Sequence, residues 1–287
     1  MSTDKKNQSP TTIARLVETD NTHITAATNL NQKVAHSDVS YVKEEVKIFD
    51  RLLAANMLVA GSNLDREILD DYRRIKRPLV SNAVGRNKSM VERGNLILVT
   101  SSIPGEGKTY TSINLALSIA HEMDVTVLLV DCDAAKQGVS RVLGVEDYKG
   151  VVDILENDEM HIGDVLLQTD IPNLRLIPAG KQNDYVTELL TSKRMATLVN
   201  EMASRYSDRV IIIDGPPLLP TPQTQILAGL VGQVVFVIEA GKTSQSLVEE
   251  ALAMIPEEQA TGIVMNKNEG LASRSGYYYG YYGPDDD

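Results

Sequence analysis

The residues Ser102-Ile103-Pro104-Gly105-Glu106-Gly107-Lys108-Thr109 have types and spacing suited to gripping a chain of phosphates. Glycines let backbone N–H groups turn inward around phosphate oxygens, and a helix opening at Lys108 adds the positive end of its dipole. In such a P-loop the lysine, Lys108, reaches the β- and γ-phosphates and the hydroxyl of Thr109 ligates Mg²⁺. The segment Pro104 to Tyr110, comprising Pro104, Gly105, Glu106, Gly107, Lys108, Thr109 and Tyr110, is therefore the candidate ATP-binding loop. Ser102 stands where the general motif has Gly, but the tight turn falls at Gly105 to Gly107. The competing reading is a glycine loop that merely joins strand to helix.

Two further stretches place carboxylates just past buried apolar runs: VLLVDCD, with Asp131 and Asp133, and VIIIDGPP, with Asp214. Ligands of open α/β sheets bind outside the carboxyl ends of the strands, so these acids are expected to converge on the phosphate loop. Asp214 reads as the carboxylate of a Walker B element, and Asp133 as part of the metal shell with Thr109 and Asp214. Asp131 is the candidate to orient or deprotonate an attacking hydroxyl. Against each stands a plainer role, capping the next turn. Asn266, past the last strand, is a candidate for the adenine edge or an ordinary polar loop residue. Near the C-terminus, Tyr277, Tyr278, Tyr279, Tyr281 and Tyr282 crowd into a segment broken by Gly276, Gly280, Gly283 and Pro284. That is no core pattern. It suits a mobile phosphate acceptor, a sticky tail, or an aromatic stretch that binds sugars or a partner.

The elements that must position these groups are legible as apolar runs. LILVT (96–100), VTVLLV (125–130), LRLIP (174–178), VIII (210–213), VVFVI (234–238) and GIVM (262–265) read as strands, several nearly continuous in Val, Ile and Leu as expected where both faces of a parallel sheet are covered. Helical patterns alternate with them, predicting an α/β P-loop NTPase fold with a mostly parallel central sheet flanked by helices. Upstream, Tyr41 to about Met57 places Val42, Val46, Phe49 and Leu53 on one helical stripe. A second helix opening near Asn63 carries Leu64, Ile68, Tyr72 and Ile75, and Pro78 is expected to end it. The resulting division is a disordered segment over 1–40, a helical N-terminal extension over 41–90, the P-loop domain over 91–268 and a flexible tyrosine-rich tail over 269–287.

Composition narrows the partners. The formal net charge of −11 argues against a nucleic-acid ligand, whose phosphates need a broad basic surface. The run Arg73-Arg74-Ile75-Lys76-Arg77 is a local exception, a solvated helix face or a contact for acids of a neighbouring subunit. Cys132 is the only cysteine, so no disulfide forms within the chain. No apolar run is long enough to span a bilayer and the N-terminus lacks a secretory core, so a cytoplasmic location without direct membrane insertion is expected.

Taken together, SSIPGEGKT, VLLVDCD, VIIIDGPP and the tyrosine-rich tail resemble the bacterial tyrosine kinases of exopolysaccharide systems, most closely the XrtA-associated tyrosine autokinases. YRRIKRPL, YKGVVDIL, LIPAG with ELL, and GIVMNKN extend the likeness over roughly residues 64 to 282. The resemblance implies ATP- and Mg²⁺-dependent phosphorylation of tyrosines in a neighbouring subunit's tail, within a ring-like homo-oligomer. It also implies a membrane polysaccharide co-polymerase whose cytoplasmic segment activates the kinase and recruits it to the inner face of the membrane. Departures are Ala135, with Lys136 next to it, where relatives carry a basic residue. Gln223 stands where an acid is common, and the subunit-contact motif reads either as Asp70, Arg73, Lys76 or as Asp71, Arg74, Arg77. The rival reading is an ATPase of the partition or septum-positioning type, or a nucleotide-switched assembly partner without phosphotransfer. Those ATPases carry a signature lysine early in the loop, where this chain has Ser102, Ile103 and Pro104.

Overall fold

The computed structural model describes residues 45–59, 66–182, 185–205 and 209–268. The expected disordered segment 1–40 and the tyrosine-rich tail 269–287 lie outside the described residues. Strands β1 (Glu45–Val46), β2 (Leu96–Ser101), β3 (Thr126–Asp131), β4 (Leu167–Thr169), β5 (Leu174–Ile177), β6 (Arg209–Asp214), β7 (Gln233–Glu239) and β8 (Ala260–Asn266) form one sheet. Their order is β1-β4-β5-β3-β6-β2-β7-β8. Neighbours run parallel except β4 and β5, which are antiparallel. The six apolar runs of the sequence supply six of these strands; β1 and β4 are too short to show a period.

The central strands are buried on both faces, and alternation sorts their side chains into two layers. Ile97, Val99, Val127, Leu129, Val210 and Ile212 face one way. Leu96, Leu98, Leu128, Val130, Ile211, Ile213 and Phe236 face the other. Each such side chain contributes about 1.5–3 kcal/mol by leaving water, so a one-residue register slip would be prohibitive. The first layer is roofed by α1 (Phe49–Ala54), α2 (Arg66–Ala83), α3 (Lys108–Ala120) and α4 (Gly138–Leu143). The second is covered by α5 (Val151–Glu156), α6 (Ile162–Val165), α7 (Val186–Leu190), α8 (Lys193–Arg205), α9 (Gln223–Ala228) and α10 (Gln245–Leu252).

The N-terminal stretch departs from expectation in two places. The helix expected from Tyr41 begins only at Phe49, because Glu45 and Val46 are spent in extended pairing with Gln168 and Thr169 of β4. Asp170 then accepts hydrogen bonds from the N–H groups of Ile48 (2.9 Å) and Phe49 (3.4 Å), which starts α1 there. The shift in start rotates the stripe, so Leu52 is buried and Leu53 is exposed. Pro78 does not end the second helix but lies inside α2. It sits on the exposed side, where water can reach the carbonyl whose partner N–H the proline lacks, and the helix continues past it to Ala83.

The basic run on α2 is largely paired within the chain. Arg73 meets Asp70 at 2.7 Å and Arg74 meets Asp71 at 3.5 Å. Lys76 turns toward α3, donating to Ser118 O at 2.7 Å and pairing with Glu122 at 2.6 Å. A more demanding tie joins α2 to the sheet. The buried amide of Gln233 at the start of β7 accepts from Asn82 Nδ2 at 2.8 Å and donates to Leu79 O at 3.1 Å, and also to Gly94 O. Losing one partner of a buried polar group costs about 1–3 kcal/mol. Gln233→Leu should therefore lower unfolding stability by about 2 kcal/mol in urea titration, whereas Arg73→Ala on the solvated face should change it by less than about 0.5 kcal/mol.

Candidate active site

The phosphate loop connects β2 to α3 across the middle of the sheet. Gly105 (φ 96°) and Gly107 (φ 97°) take left-handed conformations that L-residues avoid, and Gly107 caps α3 directly. A Cβ on Gly107 would run into Asn266 Nδ2. The loop is fastened from its outer side. Glu106, almost wholly buried, accepts from Ile103 N at 2.8 Å and from the Thr243 hydroxyl. Asn266 Nδ2 donates to Glu106 O at 2.9 Å, and Lys267 Nζ donates to Gly105 O at 2.7 Å while pairing with Glu239 at 3.0 Å. With these carbonyls held outward, the peptide N–H groups are left for an anion. Asn266 thus reaches the loop backbone itself.

The acids converge as anticipated. Asp131 and Asp214 are register partners on adjacent strands, and Asp133 follows two residues past Asp131. Lys108 Nζ lies 2.8 Å from Asp133 Oδ2, with both side chains under a tenth exposed. Thr109 Oγ1 donates to Asp214 Oδ2 at 2.8 Å, and Ser112 Oγ lies 2.8 Å from Asp214 Oδ1 and 3.0 Å from Lys108 O. Asp131 faces inward. Its Oδ2 accepts from Ser140 N and Ser140 Oγ, both at 2.8 Å, and its Oδ1 from Asp133 N at 3.2 Å. Ser140 Oγ in turn accepts from Ala179 N at 3.0 Å. Through these bonds Asp131 braces the start of α4 and, by way of Ser140, the segment just after β5. Tyr110 is half-buried and packs into the layer under α2, so only its backbone is presented to the loop. Lys136 is exposed, with its side chain at the rim of a neighbouring pocket.

Burial is the first cause that pushes the carboxyls of Asp131 and Asp214 upward. For Asp131 the neighbouring Asp214 charge adds to it, while for Asp214 the Lys108 ammonium and the Ser112 and Thr109 hydroxyls oppose it. The donor set fits a hard divalent cation, since a hydroxyl and carboxylates are what such ions take. Among the described residues no group of three or more His, Cys, Asp and Glu could hold a metal unaided.

Several partners were not singled out from sequence. Ser112 is a polar residue on the buried face of α3, three positions after Thr109; that placement was the available signal. Gly138 approaches so closely that a Cβ there would lie 2.6 Å from Thr109 Oγ1. Gln137, which precedes it at φ 52° and donates to Gly180 O at 2.7 Å, sets that approach and shows no sequence signal.

A P-loop between strand and helix, two strand-end carboxylate elements and a mostly parallel sheet define a P-loop nucleotide-binding protein. A family model described as an AAA domain matches residues 94–267. The tyrosine-protein kinase CpsD of Streptococcus agalactiae is 31% identical over 71% of this chain and 89% of its own length. The crystal structure of the VpsO kinase domain superposes with a TM-score of 0.59 at 27% identity, covering 70% of this chain and 96% of that one. The chain belongs to the bacterial tyrosine-protein kinase family and is a protein-tyrosine kinase by class. The cell division ATPase MinD of Pyrococcus furiosus shares the fold alone, with a TM-score of 0.51 at 20% identity over 61% of this chain and 72% of that one.

Two outcomes follow from this geometry. Gly138→Ala should push the Thr109 hydroxyl off Asp214 and weaken Mg-ATP binding by about tenfold, ~1.4 kcal/mol, in calorimetric titration, with an unchanged circular dichroism spectrum. Asp214 binds its proton more tightly folded than unfolded. The folded state therefore holds the extra proton between the ordinary carboxylate range and neutrality, and stability falls as pH rises through that window. Asp214→Asn should accordingly melt several degrees above the parent at pH 8 in EDTA, an advantage that shrinks toward pH 4. A constant difference across that range would contradict the assignment.

Proposed function

We propose that this chain is an ATP-dependent autokinase that transfers phosphate to tyrosines of its own C-terminal cluster, Tyr277, Tyr278, Tyr279, Tyr281 and Tyr282, between subunits of a homo-oligomer. The observation that carries the reading is the Lys108–Asp133 and Thr109–Asp214 pairing at the mouth of the loop, in a chain that also holds a five-tyrosine segment. Kinases of this family use ATP, and the loop from Pro104 to Tyr110 is assigned to its phosphates.

The residues take the following parts. Backbone N–H groups over Gly105 to Tyr110 cradle the phosphates, and Lys108 leaves Asp133 to pair with the terminal phosphate. Thr109 and Asp214, with Asp133, would hold Mg²⁺, which would neutralise charge that builds on the phosphate oxygens. Asp131 fixes the turn after β3 through Ser140 and positions Asp133. A tyrosine hydroxyl oxygen then forms a bond to the γ-phosphorus, the bond from that phosphorus to the bridging oxygen of ADP breaks, and the phenolic proton is given up to water. Phosphates added beside Asp285, Asp286 and Asp287 crowd like charges and favour release of the tail.

The biological setting proposed is regulation of exopolysaccharide polymerisation or export, with a membrane co-polymerase as the activating partner. Among the described residues no helix is long and apolar enough to cross a membrane, so recruitment to the membrane's inner face would fall to that partner. A nucleotide switch without phosphotransfer is the second reading, favoured only by the fold shared with cell-division ATPases.

Peptide-level mass spectrometry after incubation with Mg-ATP separates the two. Phosphate should appear on residues 277–282 of the parent and be lost in Lys108→Ala. Replacing the five tail tyrosines by Phe should remove most phosphotyrosine while leaving ATP binding unchanged. ATP binding without any phosphotyrosine, with and without the partner's cytoplasmic segment, would favour the switch.

A further inference from the structure

The phosphate loop carries an acid of its own. Glu106 stands between Gly105 and Gly107, where peptide N–H groups gather for an anion, and its side chain is almost wholly buried. A carboxylate in that place is a liability, because its oxygens seek the same donors as the phosphate oxygens the loop is assigned to hold. The structure turns it away. Its Oε2 accepts from Ile103 N at 2.8 Å and its Oε1 from the Thr243 hydroxyl, both neutral donors. Thr243 lies in the turn between β7 and α10, which runs beside the loop because β7 and β2 pair in parallel with Val237 opposite Ser101. Its hydroxyl also accepts from Glu239 N at 3.0 Å, and Thr243 N donates to Glu239 O at 3.1 Å. With the Glu239 N–H aimed at the oxygen, the hydroxyl hydrogen is left for Glu106.

We propose that Thr243 is a positioning residue for nucleotide binding: it holds the Glu106 carboxylate out of the phosphate cradle, so that the chain's own anion does not compete with ATP for the loop N–H groups and Lys108. The proposal rests on the assignment of the loop to nucleotide phosphates and adds how that site is kept free. Three observations carry it. A buried carboxylate that loses a donor must find another, since water is not at hand, and the loop N–H groups are such donors. Space for that turn exists, because a Cβ built on Gly105 would meet no atom within 4 Å. The loop backbone is held by other groups, Asn266 Nδ2 on Glu106 O at 2.9 Å and Lys267 Nζ on Gly105 O at 2.7 Å. Thr243 therefore acts on the Glu106 side chain, and its effect is separable from the backbone clamp.

Calorimetric titration of the full chain with Mg-ATP tests this without requiring phosphotransfer, each variant being held well below its own melting temperature. Thr243→Val keeps the branched shape and removes both hydroxyl bonds, and should weaken binding about tenfold. Thr243→Ser restores the hydroxyl and should bind within about twofold of the parent. Adding Glu106→Gln to Thr243→Val should regain at least about fivefold of the loss, because a neutral amide does not compete as an anion. Lys267→Met frees the loop at Gly105 O without touching Glu106, and Glu106→Gln should regain nothing of whatever binding it loses. Unchanged affinity in Thr243→Val would overturn the proposal, as would a double variant no tighter than Thr243→Val. Equal rescue of Lys267→Met would also overturn it, in favour of simple loosening of the loop. Failure of the parent itself to bind Mg-ATP would instead overturn the nucleotide assignment on which the proposal rests.

Discussion

A lysine ammonium in an almost closed interior is tolerable only with a counter-charge in hydrogen-bond contact, and Lys108 has Asp133 at 2.8 Å. The rest of the site is arranged around that pair. The lysine is fixed because it opens α3, whose face is buried along nearly its whole length. The aspartate is fixed because Asp131, two residues earlier, is anchored through Ser140 to α4 and to the segment just after β5. Neither charge can move without a replacement, and on the proposed reading an incoming phosphate would be such a replacement. The protein folds around a satisfied lysine, and nucleotide binding would then exchange one anion for another.

The same crowding explains why so many hydroxyls surround the acids. Asp131 and Asp214 sit side by side on neighbouring strands, both buried, and burial favours the neutral form of each. Ser140, Thr109 and Ser112 supply donors that keep the carboxylates oriented at some cost in stability. Burial thus works against these charges while the hydroxyls around them work for them.

The central strands and the phosphate loop were legible in sequence because both obey short-range rules: a buried parallel strand is a nearly uninterrupted aliphatic run, and a phosphate loop must place glycines beside a lysine. What escaped depends on contacts between distant segments. The helix predicted from Tyr41 yields to pairing of Val46 with Thr169. Pro78 continues inside α2 because the side it occupies faces water. Asp131 looks chemically available in the string VLLVDCD, yet its partner Ser140 lies beyond a left-handed turn at Gln137 that no local pattern announces. Asn266 could be flagged as a polar residue at a strand end, but its target, a carbonyl of Glu106, is set by the placement of β8 at the far edge of the sheet.

That placement has a mechanical side. Asn266 and Lys267 grip two carbonyls of the phosphate loop, and the chain continues from them into the tyrosine-bearing segment after only a single further described residue, Asn268. The shape of the phosphate loop is thus set partly from the edge of the sheet: a shift of β8 along its neighbour β7 would drag two loop carbonyls with it.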